Sequence, residues 1–220
     1  MESNLVPISE IRKKGVWHFL PYSQAVRRAE SALEQSIHPV IPLRDLVQST
    51  QRGFSIPSST YQEEGIPFIR LLNLQCGKID WTTVVYISPE HHDRLEKTQL
   101  HQGNVLVGLI SQPNIKVTVY DCDRPANINQ NLVKLDLKTD RINPHYLAYY
   151  LQTDVMQTLL MSRAIGTTLP IIRVQDLMEL GISCPTISQQ QEILTAAQNL
   201  DQNPIQHVEQ FLWGKIQLCL

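Results

Sequence analysis

No apolar run in the 220-residue sequence approaches the ~20 residues needed to span a membrane. The start, MESNLVPISEIRKKG, lacks the hydrophobic region of a signal peptide. The four cysteines, Cys76, Cys122, Cys184 and Cys219, stand far apart and form no C-x-x-C pair, as expected of reduced cytosolic thiols that mostly fill core. These absences predict a cytoplasmic protein with no membrane partner. A strong charge of either sign is also missing: 19 Lys and Arg against 21 Asp and Glu give a formal net charge of −2. A protein that coats nucleic acid without regard to sequence is usually basic. A sequence reader is not excluded, because affinity depends on the patch that faces the phosphates.

Catalytic signatures are equally scarce. There is no G-x-S-x-G, no P-loop and no G-x-G-x-x-G. The Asn/Asp-Pro-Pro-Tyr/Phe motif of adenine methyltransferases is missing too. No catalytic residue, cofactor or metal ligand is therefore expected. Two constellations come nearest to a metal site. His91, His92 and Asp93 are adjacent, with His101 beyond. Neighbouring helical residues point roughly 100° apart, whereas zinc ligands need spacings such as H-E-x-x-H. A solvated helix face explains them better. Asp136-Leu137-Lys138 is a D-x-K triplet that suits a Mg²⁺-dependent nuclease, with Glu90 or Asp121 as a second ligand. Beside Leu135 and Leu137 on the opposite face of a strand, Asp136 and Lys138 are most simply its polar face.

The sequence does contain a loop-rich globular pattern: 42% hydrophobic residues, 18% charged residues and 13 prolines, enough for one good core. Residues 22–36 read as a helix with Ala25, Ala29, Ala32 and Leu33 on one face, outside the core pattern that follows. Strands are predicted at 66–72, 79–87, 105–110, 115–120 and 132–137, and a polar surface loop at 48–62. Segments 105–110 and 115–120 pair as a hairpin around Ser111-Gln112-Pro113-Asn114. Ser88-Pro89 opens a short helix, and Asn143-Pro144 opens one long helix to about Arg163.

The most ordered series runs from Gly166 to Leu194: GTTLPIIRVQDLMELGISCPTISQQQEIL. It passes from a polar turn to a short amphipathic segment, a brief apolar strand stopped by Pro185, and a helix. Ser188 and Gln191 stand in the S-x-x-Q relation of a capping box at the start of that helix. This order of parts resembles the end of a target recognition domain from the specificity (S) subunit of type I restriction-modification systems. The matching residues are Gly166, Thr167, Thr168, Asp176, Leu177, Ile182, Pro185, Gln190 or Gln191, and Ile193. The resemblance extends through Gly65–Asp80, Leu100–Val107 and Ile128–Leu132, so it covers about residues 40–193. Asn104 departs from it, standing where the family usually has an acidic residue.

The resemblance implies an α+β fold, a mainly antiparallel twisted sheet with surrounding helices. The DNA target recognition domain would occupy residues 40–187. Residues 1–39 would form an N-terminal extension, and 188–220 a spacer-like helical tail. It implies a non-catalytic reader of double-stranded DNA that directs a partner methyltransferase (modification) subunit. The loops carry suitable chemistry: amides that can bond adenine bidentately, and cations beside them for phosphates. The candidate DNA contacts are Arg52, Ser55, Ser58, Arg70, Asn73, Gln112, Asn114, Lys116, Asn129, Gln130, Thr167, Thr168 and Arg173. Asn127, Asn131 and Arg163 lie in or near the same loops. In the tail, Ile205, Val208, Leu212 and Ile216 share a stripe, with Phe211 and Trp213 beside it. One domain of this size is not expected to bury both aromatics alone. A homodimer through the terminal helices would restore the two recognition domains of a full S subunit, and its symmetry would match a split palindrome. The alternatives are a protein-interaction module of the same fold and the nuclease at Asp136.

Overall fold

The computed structural model describes residues 23–75, 77–111, 113–166, 168–199 and 203–214. In chain order its elements begin with α1 (Gln24–Glu34), β1 (Val40–Pro42), the single turn α2 (Leu43–Leu46), β2 (Val47–Arg52) and β3 (Ile66–Ile69). Next come β4 (Leu74–Gln75), β5 (Lys78–Ile79), β6 (Val85–Ile87), α3 (Pro89–Arg94), β7 (Asn104–Gly108), β8 (Val117–Tyr120) and β9 (Asn127–Ile128). The chain continues with β10 (Leu132–Leu137), α4 (Pro144–Tyr150), α5 (Asp154–Arg163), α6 (Val174–Met178), β11 (Gly181–Ser183), α7 (Ile187–Asn199) and α8 (Pro204–Trp213). The fold is α+β and mainly antiparallel. A four-stranded antiparallel sheet in the order β2-β10-β7-β8 forms its centre. Beside it lies the sheet β6-β3-β9, in which β3 and β9 run parallel. The pairs β1-β11 and β4-β5 complete the set.

Within the central sheet, β7, β8 and nearly all of β10 are buried on both faces, while β2 at the edge is not. Successive β7 residues alternate between two apolar clusters: Val105 and Val107 join the larger, Leu106 the smaller. Period-two alternation explains this split, and burial on both sides explains why the strand is apolar throughout. The larger cluster gathers α1, α4, α5, α7 and α8; the smaller lies under β3, β4 and β9.

Several elements differ from the sequence-based expectation, each for a local reason. The stretch 48–62 begins as β2, an edge strand whose side chains are mostly exposed. Backbone pairing with β10 holds it there, so it has no apolar period. The strand expected at 79–87 is broken where Asp80 accepts hydrogen bonds from Thr82 N (3.0 Å) and Thr82 Oγ1 (2.6 Å). The long helix after Asn143 is two helices, because buried Thr153 caps α5 by accepting from Met156 N at 3.4 Å. The capping box of α7 sits two residues earlier than Ser188: Thr186 Oγ1 accepts from Gln189 N, and Gln189 Oε1 accepts from Thr186 N at 3.0 Å.

The ends of the chain pack onto the domain rather than standing off it. The α1 helix, read from sequence as lying outside the core, places Val26, Ala29 and Ala32 within it, against α5. Its buried face centres on Val26, while Ala25 is only half-buried. In α8, Val208, Leu212 and Trp213 are buried, and Trp213 meets Tyr150 at 5.6 Å between ring centroids. Phe211 stacks on His38 at 5.7 Å and stays 43% exposed. The domain therefore buries Trp213 by itself, and two members of the tail stripe are already spent. Ile216 lies outside the described residues.

Candidate nucleic-acid interface

The ends of six strands converge at one end of the central sheet. There β2, β3, β7 and β9 finish while β10 and β8 begin. Close backbone approach is required at this point. A Cβ on Gly53 would lie 2.1 Å from the Asn129 carbonyl oxygen, so only glycine lets residue 54 bridge to Asn129. A Cβ on Gly108 would meet Leu71 Cδ1 at 2.5 Å. Its absence lets Leu71 settle on β7, and the next residue, Leu72, is 51% exposed.

A cleft of about 350 Å³ opens at this end, lined by Arg70, Leu71, Leu72, Ile110, Asn114, Lys116, Asn129 and Asn131. Among the described residues its lining carries two cations and no carboxylate. A net charge of −2 is thus compatible with a locally positive surface. Arg70 is held in the wall. Its Nη2 donates to the Thr83 carbonyl at 2.9 Å, and its guanidinium lies 5.6 Å from the Tyr61 ring centroid. Its Nε is buried with no hydrogen-bond partner among the described residues. Asn129 Oδ1 accepts from Asn131 N at 3.2 Å, which shapes the turn from β9 into β10. Asn114, Asn131 and Lys116 form no side-chain hydrogen bond with another described residue, so their donors and acceptors face solvent.

The connection from β7 to β8 is longer than the expected four-residue loop, and it is anchored. Buried Gln157 of α5 accepts from Ile115 N at 2.8 Å and donates to Ile115 O at 3.1 Å. Both backbone groups of Ile115 are thereby fixed, and Asn114 and Lys116 flank the fixed residue. A lone glutamine in a helix gives no sequence signal for this role. The loop containing Gly166 and Thr168 ties to the same end: Ile165 and Ile171 exchange backbone bonds at 2.9 and 2.8 Å, and Ile172 N donates to Leu109 O at 2.9 Å. Ser111 N donates to Pro170 O at 3.0 Å.

The candidate contacts divide accordingly. Arg70, Asn114, Lys116 and Asn129 line the cleft. Arg52 and Gln130 adjoin it, joined by a 2.7 Å bond from Arg52 Nε to the Gln130 carbonyl. Thr168 is exposed on the neighbouring loop, while Ser55 and Ser58 are exposed but outside the lining. Gln112 and Thr167 lie outside the described residues. Arg173 is engaged by Asp176 through bonds of 2.5 and 3.0 Å, which also raise its pKa. Asn73 is a correction. It is fully buried, where Oδ1 accepts from Arg70 N and Nδ2 donates to Thr83 Oγ1, so it positions Arg70 and cannot touch DNA. Asn127, also fully buried, bonds Thr98 and the Leu95 carbonyl. Arg163 donates to the Asp176 carbonyl at 3.1 Å, and burial lowers its pKa. Asn131 is the polar lining residue outside the candidate contacts, although its Asn-rich turn is visible in the sequence.

The side chains of the metal-like constellations are hydrogen-bonded within the fold. Asp136 accepts from Ser49 Oγ and from Asn104 Nδ2, and Lys138 Nζ donates to the Asp45 carbonyl. Asn104 also accepts from His101 N at 2.9 Å. An acidic residue at 104 would face Asp136, which gives the departure from the family pattern a physical reason. His91 bonds Ser88 Oγ, and His92 bonds Asn127 Oδ1. Among the described residues no cluster of three metal-binding side chains exists, and no helix is long and apolar enough to cross a membrane.

Comparison with known proteins agrees with this architecture. Residues 39–210 match the family model of the type I restriction modification DNA specificity domain. The specificity subunit of the type I restriction enzyme MjaVIII from Methanocaldococcus jannaschii is 26% identical over 166 residues, 74% of this chain and 39% of that one. The HsdS subunit from Thermoanaerobacter tengcongensis superposes with a TM-score of 0.54 at 20% identity, covering 93% of this chain and 49% of that chain. A chain from a type I R-M system complex gives a TM-score of 0.57 at 19% identity, with 93% and 48% covered. The chain thus spans 39% of the length of the first relative and about half of each structure. With the matched segment running from β1 into α8, the chain belongs to the family of type I restriction-modification DNA specificity domains.

Proposed function

We propose that this chain reads double-stranded DNA sequence-specifically and directs the methyltransferase (modification) subunit of a restriction-modification system. The observation that carries this reading is the cleft itself: unengaged amides beside two cations, with no carboxylate among the described lining. Phosphate contacts from Lys116, Arg52 and Arg70 would set the register, and amides would read base edges. Exposed Ser55, Ser58 and Thr168 with Gln130 would extend the surface; Gln112 and Thr167, outside the described residues, stay candidates from the sequence. Arg173 would contribute only by leaving Asp176. In this reading residues 40–187 are the recognition domain, with 1–39 and 188–220 as terminal extensions. The chain is a reader without turnover of its own and works in the cytoplasm.

The same reading includes a homodimer through the terminal helices. Its support is the apolar surface that these segments leave exposed, at Ile37, Val40, Ile187 and Phe211. Sedimentation of the full chain as a monomer at high concentration would remove the dimer and leave the reader intact. The reader is tested by electrophoretic shift of a random duplex library, with the retained pool sequenced. Retention of an enriched sequence is expected. A protein-interaction module would retain nothing.

A further inference from the structure

Resting on that DNA-reading function, we propose that the cleft selects adenine–thymine pairs and selects against guanine–cytosine at its centre. Asn114 and Asn131 present free amides, each with one acceptor oxygen and one donor nitrogen. The major-groove edge of adenine offers the complement, an N7 acceptor beside an N6 donor. Guanine offers two acceptors there, so the amide oxygen would face O6 with no proton between them. Guanine is ordinarily read by a mobile guanidinium or ammonium. Arg70 is already engaged: its Nη2 donates to the Thr83 carbonyl, its guanidinium lies over the Tyr61 ring, and its backbone N–H donates to Asn73 Oδ1 at 2.9 Å. Among the described lining residues that leaves Lys116, which stands two residues from Asn114 and which the proposed function assigns to a phosphate.

The apolar part of the lining points the same way. Leu72 is 51% exposed and Ile110 half-buried, in the same cleft as the amides. Exposed aliphatic side chains among amides have one apolar counterpart in the major groove, the C5-methyl of thymine. Amides for adenine and aliphatics for its pairing partner make one cleft suited to one kind of base pair.

The test uses the full chain and a random duplex library. In the sequence retained by the wild type, positions that Asn131→Ala no longer selects should be A·T pairs. The retained duplex is then remade with deoxyuridine for thymine, which removes only the methyl group. The wild type should lose roughly fourfold in affinity, the equivalent of one buried methyl. Leu72→Ala, altered at an exposed position, should bind both duplexes equally. G·C pairs at the Asn131-dependent positions, or equal wild-type affinity for both duplexes, would overturn the proposal and leave DNA reading standing. A retained pool with no sequence preference removes the DNA-reading function and this inference together.

Discussion

Gln157 satisfies both backbone groups of Ile115 from inside the domain, and the neighbouring Asn114 and Lys116 inherit that fixed position. Gln157→Ala would leave a buried N–H and C=O without partners. It should cost about 1–3 kcal/mol of stability by denaturant titration. Asn114 and Lys116 should then separate by function. Asn114→Ala is expected to cost about 1–3 kcal/mol on the preferred duplex and much less on others, because a base contact is lost. Lys116→Ala should weaken all duplexes alike and reduce the salt slope by roughly one unit. Equal losses across a library for both variants would make this loop an electrostatic contact only. Amides and cations near turns were legible in the sequence, since side-chain chemistry is local. What was not legible is which of them are consumed by the fold. Asn73 and Asn127 read like Asn114 in the sequence, yet tertiary packing buries the first two and exposes the third.

The α8 helix shows the same division between local and tertiary information. Its start is set locally at Asn203-Pro204, where Asn203 Oδ1 accepts from Ile205 N at 3.0 Å. Its destination is not, because an apolar stripe does not say which surface covers it. Thr153, by contrast, is a local signal overrun by the apolar period on both sides, so α4 and α5 read as one helix. Edge strand β2 has no period to read. Trp213 ties α8 to Tyr150, and Trp213→Ala should cost about 3–5 kcal/mol in a thermal or chemical melt. Trp213→Phe should cost less, since the buried indole N–H has no partner among the described residues. A monomer as stable without residues 203–214 as with them would contradict this packing. Glu209 adds a pH dependence. Its carboxylate accepts from Asp154 N at 3.0 Å, and burial, then Asp154, raises its pKa above the usual carboxylate value. The folded state therefore binds the proton more tightly than the unfolded one. The contribution is complete below the unfolded pKa and lost as pH rises through the folded one. Unfolding midpoints should decline as pH rises from the ordinary glutamate pKa through the raised folded one, and Glu209→Gln should flatten the decline.

For the whole molecule, a net charge of −2 and the proposed DNA-facing surface are reconciled by segregation. Strand ends from two sheets bring amides, aliphatics and cations to one cleft, whose described lining holds no acidic residue. Equilibrium titration of the full chain against its enriched duplex and a scrambled duplex of the same composition, at one salt concentration, tests that claim most directly. The account predicts tighter binding to the enriched duplex by a factor on the order of 10³. Equal affinity for the two duplexes would contradict it.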